Sequence, residues 1–159
     1  KKEKGKTAPA IPKAVKSFLS DTSSFSPEWS GSILRMLPES VRGAYPLLRE
    51  HLRILSAGIC IGEAKGKDFI PAEELALSTA LRPDAFPVAD LDWDDAIRYL
   101  KKEALLLPAG TEKGYVLVRH KKFPLGFAKH LGNRANNLYP QEWRIKSSHV
   151  PETESPVIE

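Results

Sequence analysis

The chain has 159 residues, 42% hydrophobic and 28% charged, with 24 Lys and Arg against 20 Asp and Glu, a net charge of +4. That composition describes one or two compact globular units and excludes a disordered or fibrous chain. The longest apolar runs, Ala104–Leu107 and Tyr115–Val118, fall far short of the roughly 20 residues of a membrane span, and one cysteine, Cys60, excludes an intrachain disulfide framework and suits a reducing cytoplasm.

Residues 1–16 carry six Lys and one Glu with no apolar period and read as a basic linker. No apolar stretch follows the charged N-terminus, so no signal peptide is expected there. The opening lacks a Met and reads as mid-linker, the expectation being a piece of a longer protein. The Ser-rich DTSSFSPEWSGS delays the first expected element to a strand at Ser32–Leu37, which Pro38 ends. Ala44–His51 admits a helical turn. LRILSAGICIGEAKGKDFIP reads as a strand whose Gly58 and Gly62 mark a bulge or a bend at a barrel corner, followed by a turn at Lys65-Gly66-Lys67 and a new element at Phe69-Ile70.

Pro71 followed by AEELALSTAL predicts a helix, with Glu73 and Glu74 in its first turn and Leu75, Leu77 and Leu81 as apolar contacts, stopped by Arg82-Pro83. A second helix begins at Asp92 as N-cap, with Asp94 and Asp95 in its first turn and Lys101 and Lys102 in its last. Its Trp93, Ile97, Tyr99 and Leu100 are placed to cover a small sheet. GYVLVR (114–119) and FPLGFAKHL (123–131) predict two strands joined by a basic turn, His120-Lys121-Lys122. Asn133–Pro140 reads as a loop or short turn, and Trp143–Ile145 as a last short strand. Few helices, short strands and Gly-marked bends predict an α+β fold built on small, curved, mostly antiparallel sheets.

The chemistry legible in these residues is binding. There is no GxGxxG after a strand and no phosphate-binding loop, and the four histidines (51, 120, 130 and 149) lack metal-ligand spacing. Cys60, between Ile59 and Ile61, reads as a buried small hydrophobe, and the Asp90–Asp95 cluster as helix N-capping. No enzymatic activity is therefore expected of this chain alone. Charge supplies the stronger signal: residues 17–112 are net −5, whereas 113–146 hold eight basic residues and one Glu, net +7. The basic residues alternate with Tyr115, Phe123, Phe127, Tyr139 and Trp143 and with Asn133, Asn136 and Asn137. Cations neutralise phosphates, amides read base or sugar edges, and exposed aromatics stack on unpaired bases. A solvated lysine face is the alternative from charge alone, and burial in the core is the alternative for Tyr115 and Phe127.

PLGFAKHLGNRANNLYPQEWR resembles the C-terminal signature of the NOL1/NOP2/Sun family of RNA cytosine-5 methyltransferases, the matching positions being Gly126, Phe127, Lys129, Asn137, Tyr139, Pro140 and Arg144. LRILSAGICIGEAKGKDFIPAEELALS resembles the preceding C-terminal module of those enzymes, and DWDDAIRYLKKEAL the helix that opens their last module. The resemblance covers about residues 29–146. It implies two small modules, the second a PUA-like β-pseudobarrel with flanking helices. The expected organisation is a basic linker (1–16), a first α+β module (17–83), a PUA-like RNA-binding module (84–147) and a flexible acidic tail (148–159). The implied function is to position structured RNA, with ribosomal RNA as the expected partner, for an S-adenosylmethionine-dependent cytosine-5 methyltransferase domain upstream in cis, in the cytoplasm. The expected RNA-binding residues are Lys121, Lys122, Lys129, Arg134, Asn137, Tyr139 and Arg144, with no catalytic, cofactor-binding or metal residue in this chain. A stand-alone RNA-binding adaptor and a protein-interaction module are the alternatives.

Overall fold

A computed structural model describes residues 11–149. The chain divides into two compact units, the first ending at Ala85 and the second beginning at Phe86. Each is built on its own four-stranded sheet. The architecture is α+β, dominated by strands with few and short helices. No helix among the described residues is long and apolar enough to cross a membrane.

In the first unit β1 (Phe25–Ser30), β2 (Ile33–Pro38), β3 (Ile59–Lys65) and β4 (Asp68–Pro71) form an antiparallel meander in chain order. Leu34 and Met36, two apart on β2, are buried together with Ile61 of β3, as a two-residue period requires. Leu75, from the helical turn α3 (Glu73–Ala76), is fully buried as well. The expected glycine irregularity is present: the β2–β3 register shifts between Leu34 and Arg35, opposite the Cys60–Gly62 stretch. A seven-residue helix, α2 (Tyr45–His51), fills the β2–β3 connection.

Several expectations for this unit change. Residues 11–16 are not all linker: α1 (Lys13–Lys16) is a helical turn whose Val15 is completely buried. The remainder of the linker and nearly all of the acidic tail lie outside the described residues. The Ser-rich stretch does not postpone the first strand, because Asp21 accepts hydrogen bonds from the Ser23 amide and hydroxyl and from the Ser24 hydroxyl, a local turn that launches β1. The same bonds hold the Asp21 carboxyl down at about 2. The helix expected from Pro71 to Leu81 shrinks to α3. Pro71 instead ends β4, and the Ser78 hydroxyl accepts from the Ala80 amide, turning the chain so that Leu81 bridges Leu19. Tertiary pairing of that kind overrides a helical period that is only three leucines long.

Cys60 is half-buried rather than buried. Alternation along β3 gives the inward position to Ile61, so Cys60 shares the other face with its register partner Arg35. The Arg35–Glu74 ion pair lies beside it, and the Cys60 amide donates to Glu74 Oε2 at 2.8 Å. Burial pushes the thiol above its ordinary range, Arg35 opposes that, and Glu74 adds to it. Native Cys60 should therefore react with iodoacetamide at pH 8 several-fold more slowly than free cysteine, yet without unfolding, and the rate should keep rising with pH beyond the range where free cysteine levels off. A rate matching free cysteine would show the strand face to be open.

In the second unit β5 (Val88–Asp90), β6 (Gly114–His120), β7 (Phe123–His130) and β8 (Ala135–Asn137) pair in that order. β5 runs parallel to β6 and the other pairs are antiparallel. The helix α4 (Trp93–Leu100) starts as its sequence requires, the Asp92 side chain accepting from the Asp95 amide at 2.9 Å. Its Ala96 and Tyr99 enter a core with Leu91, Leu105, Val118, Ala128 and Ala135. The Tyr99 hydroxyl, fully buried, donates to the Phe127 carbonyl at 3.0 Å. Phe127 is also fully buried and meets Phe86 edge-on, with ring centres 4.8 Å apart.

Three expectations change here too. β5 is a strand that the sequence left unassigned. β8 lies inside the segment read as loop, held by its ladder to β7 and by a bridge between Leu105 and Ala135. Trp143–Ile145 is not a strand: the Trp143 amide closes a turn onto the Pro140 carbonyl, and the Ile145 amide reaches the Leu100 carbonyl at the end of α4.

Candidate nucleic-acid interface

The basic block lies in the second unit, on the β6–β7 hairpin and the segment after it. At the hairpin tip Lys121 and Lys122 are exposed, both with positive φ (48° and 71°), the backbone of a two-residue type I′ turn. Arg134 stands in the tight connection to β8, where the Leu131 amide donates to the Arg134 carbonyl. That connection follows the far end of β7, about 23 Å from the tip at roughly 3.3 Å per residue. The lysine pair and Arg134 therefore belong to different ends of the hairpin.

Arg134 and Arg144, ten residues apart in sequence, both come to the C-terminal end of α4. Two clefts open there. One of about 620 Å³ is bordered by Arg98, Lys102, Leu106, Arg134 and Asn136. The other, about 420 Å³, is bordered by Lys101, Arg144, Lys146 and Ser148. Glu103 borders both and is the one carboxylate among the residues that line them. Arg98, Lys101, Lys102 and Lys146 are thus members that sequence reasoning did not name. Lys101 and Lys102 were legible as cations of a helix end, which complement the negative C-terminal dipole. Nothing in the sequence placed that end beside Arg134 and Arg144.

Helix termination explains one of these cations in detail. The Lys102 amide donates to the Tyr99 carbonyl and the Glu103 amide to the Arg98 carbonyl, a Schellman closure in which Lys102, at φ 60°, takes the position usual for glycine. Its ammonium group donates to the carbonyls of Asn137 and Tyr139, tying the helix end to the strand beyond.

The fold uses other expected site residues for itself. Asn137 donates through Nδ2 to the carbonyls of Tyr99 (2.8 Å) and Glu103 (3.2 Å), and its Oδ1 accepts from the Tyr139 amide (2.9 Å). Both amide hydrogens and the oxygen are engaged, which leaves no donor for a base edge. The Tyr139 ring packs edge-on against Tyr99 and Trp143, with centres 5.4 and 6.4 Å away. Lys129, half-buried, places its ammonium over the Tyr115 ring at 4.8 Å and donates to the Tyr115 hydroxyl at 3.3 Å. Lys121, Lys122, Arg134 and Arg144 stay exposed. Arg119 grips Asp90 with two bonds of 3.0 and 2.7 Å, which hold the Asp90 carboxyl below its usual range.

The histidines carry no metal geometry. His51, His120 and His130 each bring Nδ1 to a main-chain carbonyl, and no group of three or more His, Cys, Asp or Glu among the described residues is placed to hold an ion.

Two comparisons bear on this unit. Residues 86–145 match the family model described as the methyltransferase RsmF PUA domain, a match that starts at the first residue of the second unit. The chain is also 32% identical over 92 residues to the ribosomal RNA small subunit methyltransferase F of Shewanella pealeana. That alignment takes in 57% of this chain and 18% of the relative, so the chain spans less than a fifth of the length of the protein it matches. The strand-dominated second unit, its sheet packed against α4, is thus similar to the RsmF-type PUA domain, and the resemblance to the C-terminal region of an RNA methyltransferase is borne out.

Proposed function

We propose that the second unit binds structured RNA through the cation-bordered clefts at the end of α4, as the recognition part of an S-adenosylmethionine-dependent ribosomal RNA (cytosine-5) methyltransferase of the cytoplasm. In this reading residues 84–147 hold the RNA, residues 17–83 form the preceding module, and a catalytic domain in cis carries the chemistry. The observation that carries the reading is the gathering of Arg98, Lys101, Arg134, Arg144 and Lys146 along two clefts whose lining holds one carboxylate, Glu103, with Arg98 also paired to Asp95 at 3.4 Å. Cations concentrated in a concave surface focus a positive field on a phosphate backbone. In this reading S-adenosylmethionine is held by the catalytic domain.

Phosphate contacts position RNA without specifying sequence. Replacing Arg98, Arg134, Arg144 and Lys146 together by Gln should weaken binding to a structured ribosomal RNA fragment at every sequence tried. The log–log salt slope should flatten by about 0.7–0.9 for each phosphate that is no longer neutralised. Deleting residues 1–10, which removes a competing basic segment but leaves the buried Val15, should matter less. Fluorescence anisotropy at several salt concentrations reads both. If the deletion abolishes binding while the fourfold Gln variant binds normally, the clefts are not the RNA site.

One observation favours protein contact for the first unit: Leu47, Leu52 and Leu55, in α2 and the loop after it, are strongly exposed. A catalytic domain in cis is the partner this suggests, and contact with it should be insensitive to salt.

A further inference from the structure

The hairpin tip stands apart from the α4 clefts and joins an exposed aromatic ring to a turn of two lysines. Phe123, the first residue of β7, exposes 64% of its surface, where a polar residue would meet no obstacle. It directly follows Lys121-Lys122, where both residues of a type I′ turn hold positive φ. Asn-Gly is the pair that such a turn favours, because a β-carbon makes the left-handed region costly. This chain instead holds two long cations in it. Backbone kept in a sparsely populated region points to use.

Phe123 is the register partner of His120, whose ring lies 6.0 Å from that of Trp93. The tip is thus an aromatic end with two ammonium groups beside it. Asp94 and Asp95 follow Trp93 in the first turn of α4, and Asp95 is paired with Arg98 at 3.4 Å. Phe123 is the exposed ring of the tip and directly follows the two exposed lysines.

Resting on the RNA-binding reading above, we propose that the tip is a second RNA contact in which the Phe123 ring stacks on an unpaired base while Lys121 and Lys122 engage the flanking phosphates. Stacking accepts any base and needs it to be unpaired, so the tip selects loops and bulges over continuous duplex.

The test uses the whole chain and two RNAs: a hairpin with 2-aminopurine in its loop, and a blunt duplex of equal length. Phe123→Leu keeps an apolar side chain at an exposed site. It should bind the loop RNA roughly fivefold or more weakly, lose the quenching of 2-aminopurine, and bind the duplex as the unmodified chain does. The double variant Lys121→Asn, Lys122→Gly installs the favoured turn; its thermal midpoint should rise by roughly 3–6 °C while loop-RNA binding weakens. If Phe123→Leu binds and quenches like the unmodified chain while the fourfold Gln variant of the clefts loses affinity, the stacking proposal is overturned and the cleft reading stands. If the unmodified chain binds neither RNA, the RNA reading falls and the tip proposal falls with it.

Discussion

Gly62→Ala should lower the melting temperature of the first unit by roughly 12–24 °C, about 3 kcal/mol for a unit of this size. A β-carbon at Gly62 would stand 2.2 Å from the Ile70 carbonyl oxygen and 2.6 Å from the Phe69 ring, and the φ of 157° is one that L side chains rarely adopt. The close neighbour on β4 is main chain, so the clash cannot be relieved by a rotamer change. Either the β3–β4 ladder opens or β3 shifts and drags the fully buried Ile61 with it. Gly66→Ala is the control. At φ 62° it carries the conformational penalty of about 1 kcal/mol, but nothing lies within 4 Å of the added carbon. Thermal melts of both variants, with amide exchange to assign the transition to the first unit, separate space from conformation. Equal effects would mean that the strands do not approach as closely as described.

Asn137→Ala should cost the second unit about 2–3 kcal/mol, a drop of roughly 8–20 °C in its midpoint. The change deletes two hydrogen bonds that join the strand to the C-terminal end of α4 and a third that Asn137 accepts from the Tyr139 amide in the turn that follows. The Tyr99 carbonyl keeps the Lys102 amide as a partner, whereas the Glu103 carbonyl and the Tyr139 amide lose the bonds that the side chain gave them. Below the transition, RNA affinity per folded molecule should change little, because the amide is occupied within the fold. A variant with unchanged stability and weakened RNA binding would instead make Asn137 a contact residue. Calorimetric melts and anisotropy on the same preparation decide between the two.

Local signals in the sequence determined much of this protein. The Asp92 cap, the acidic first turn of α4, the two strands flanking His120-Lys121-Lys122, and the glycine irregularity of β3 all follow from interactions within a few residues, and all are present. The family resemblance was legible as well, because it rests on the order and spacing of side chains. Where the outcome depended on distant partners, only the tertiary structure decided it. β8 exists because β7 offers it a ladder, and α3 stops at Ala76 because Leu81 pairs with Leu19. Asn137 and Tyr139 looked like recognition residues by type, and became structural once the end of α4 arrived beside them, offering the Tyr99 and Glu103 carbonyls to the amide and the Tyr99 ring to the tyrosine. Arg134 and Arg144 were visible as charges, but their meeting with Arg98, Lys101 and Lys146 requires the chain to fold back over α4. Charge can be counted along a sequence, whereas the field that charges make together depends on the distances between them, and only the folded chain sets those distances.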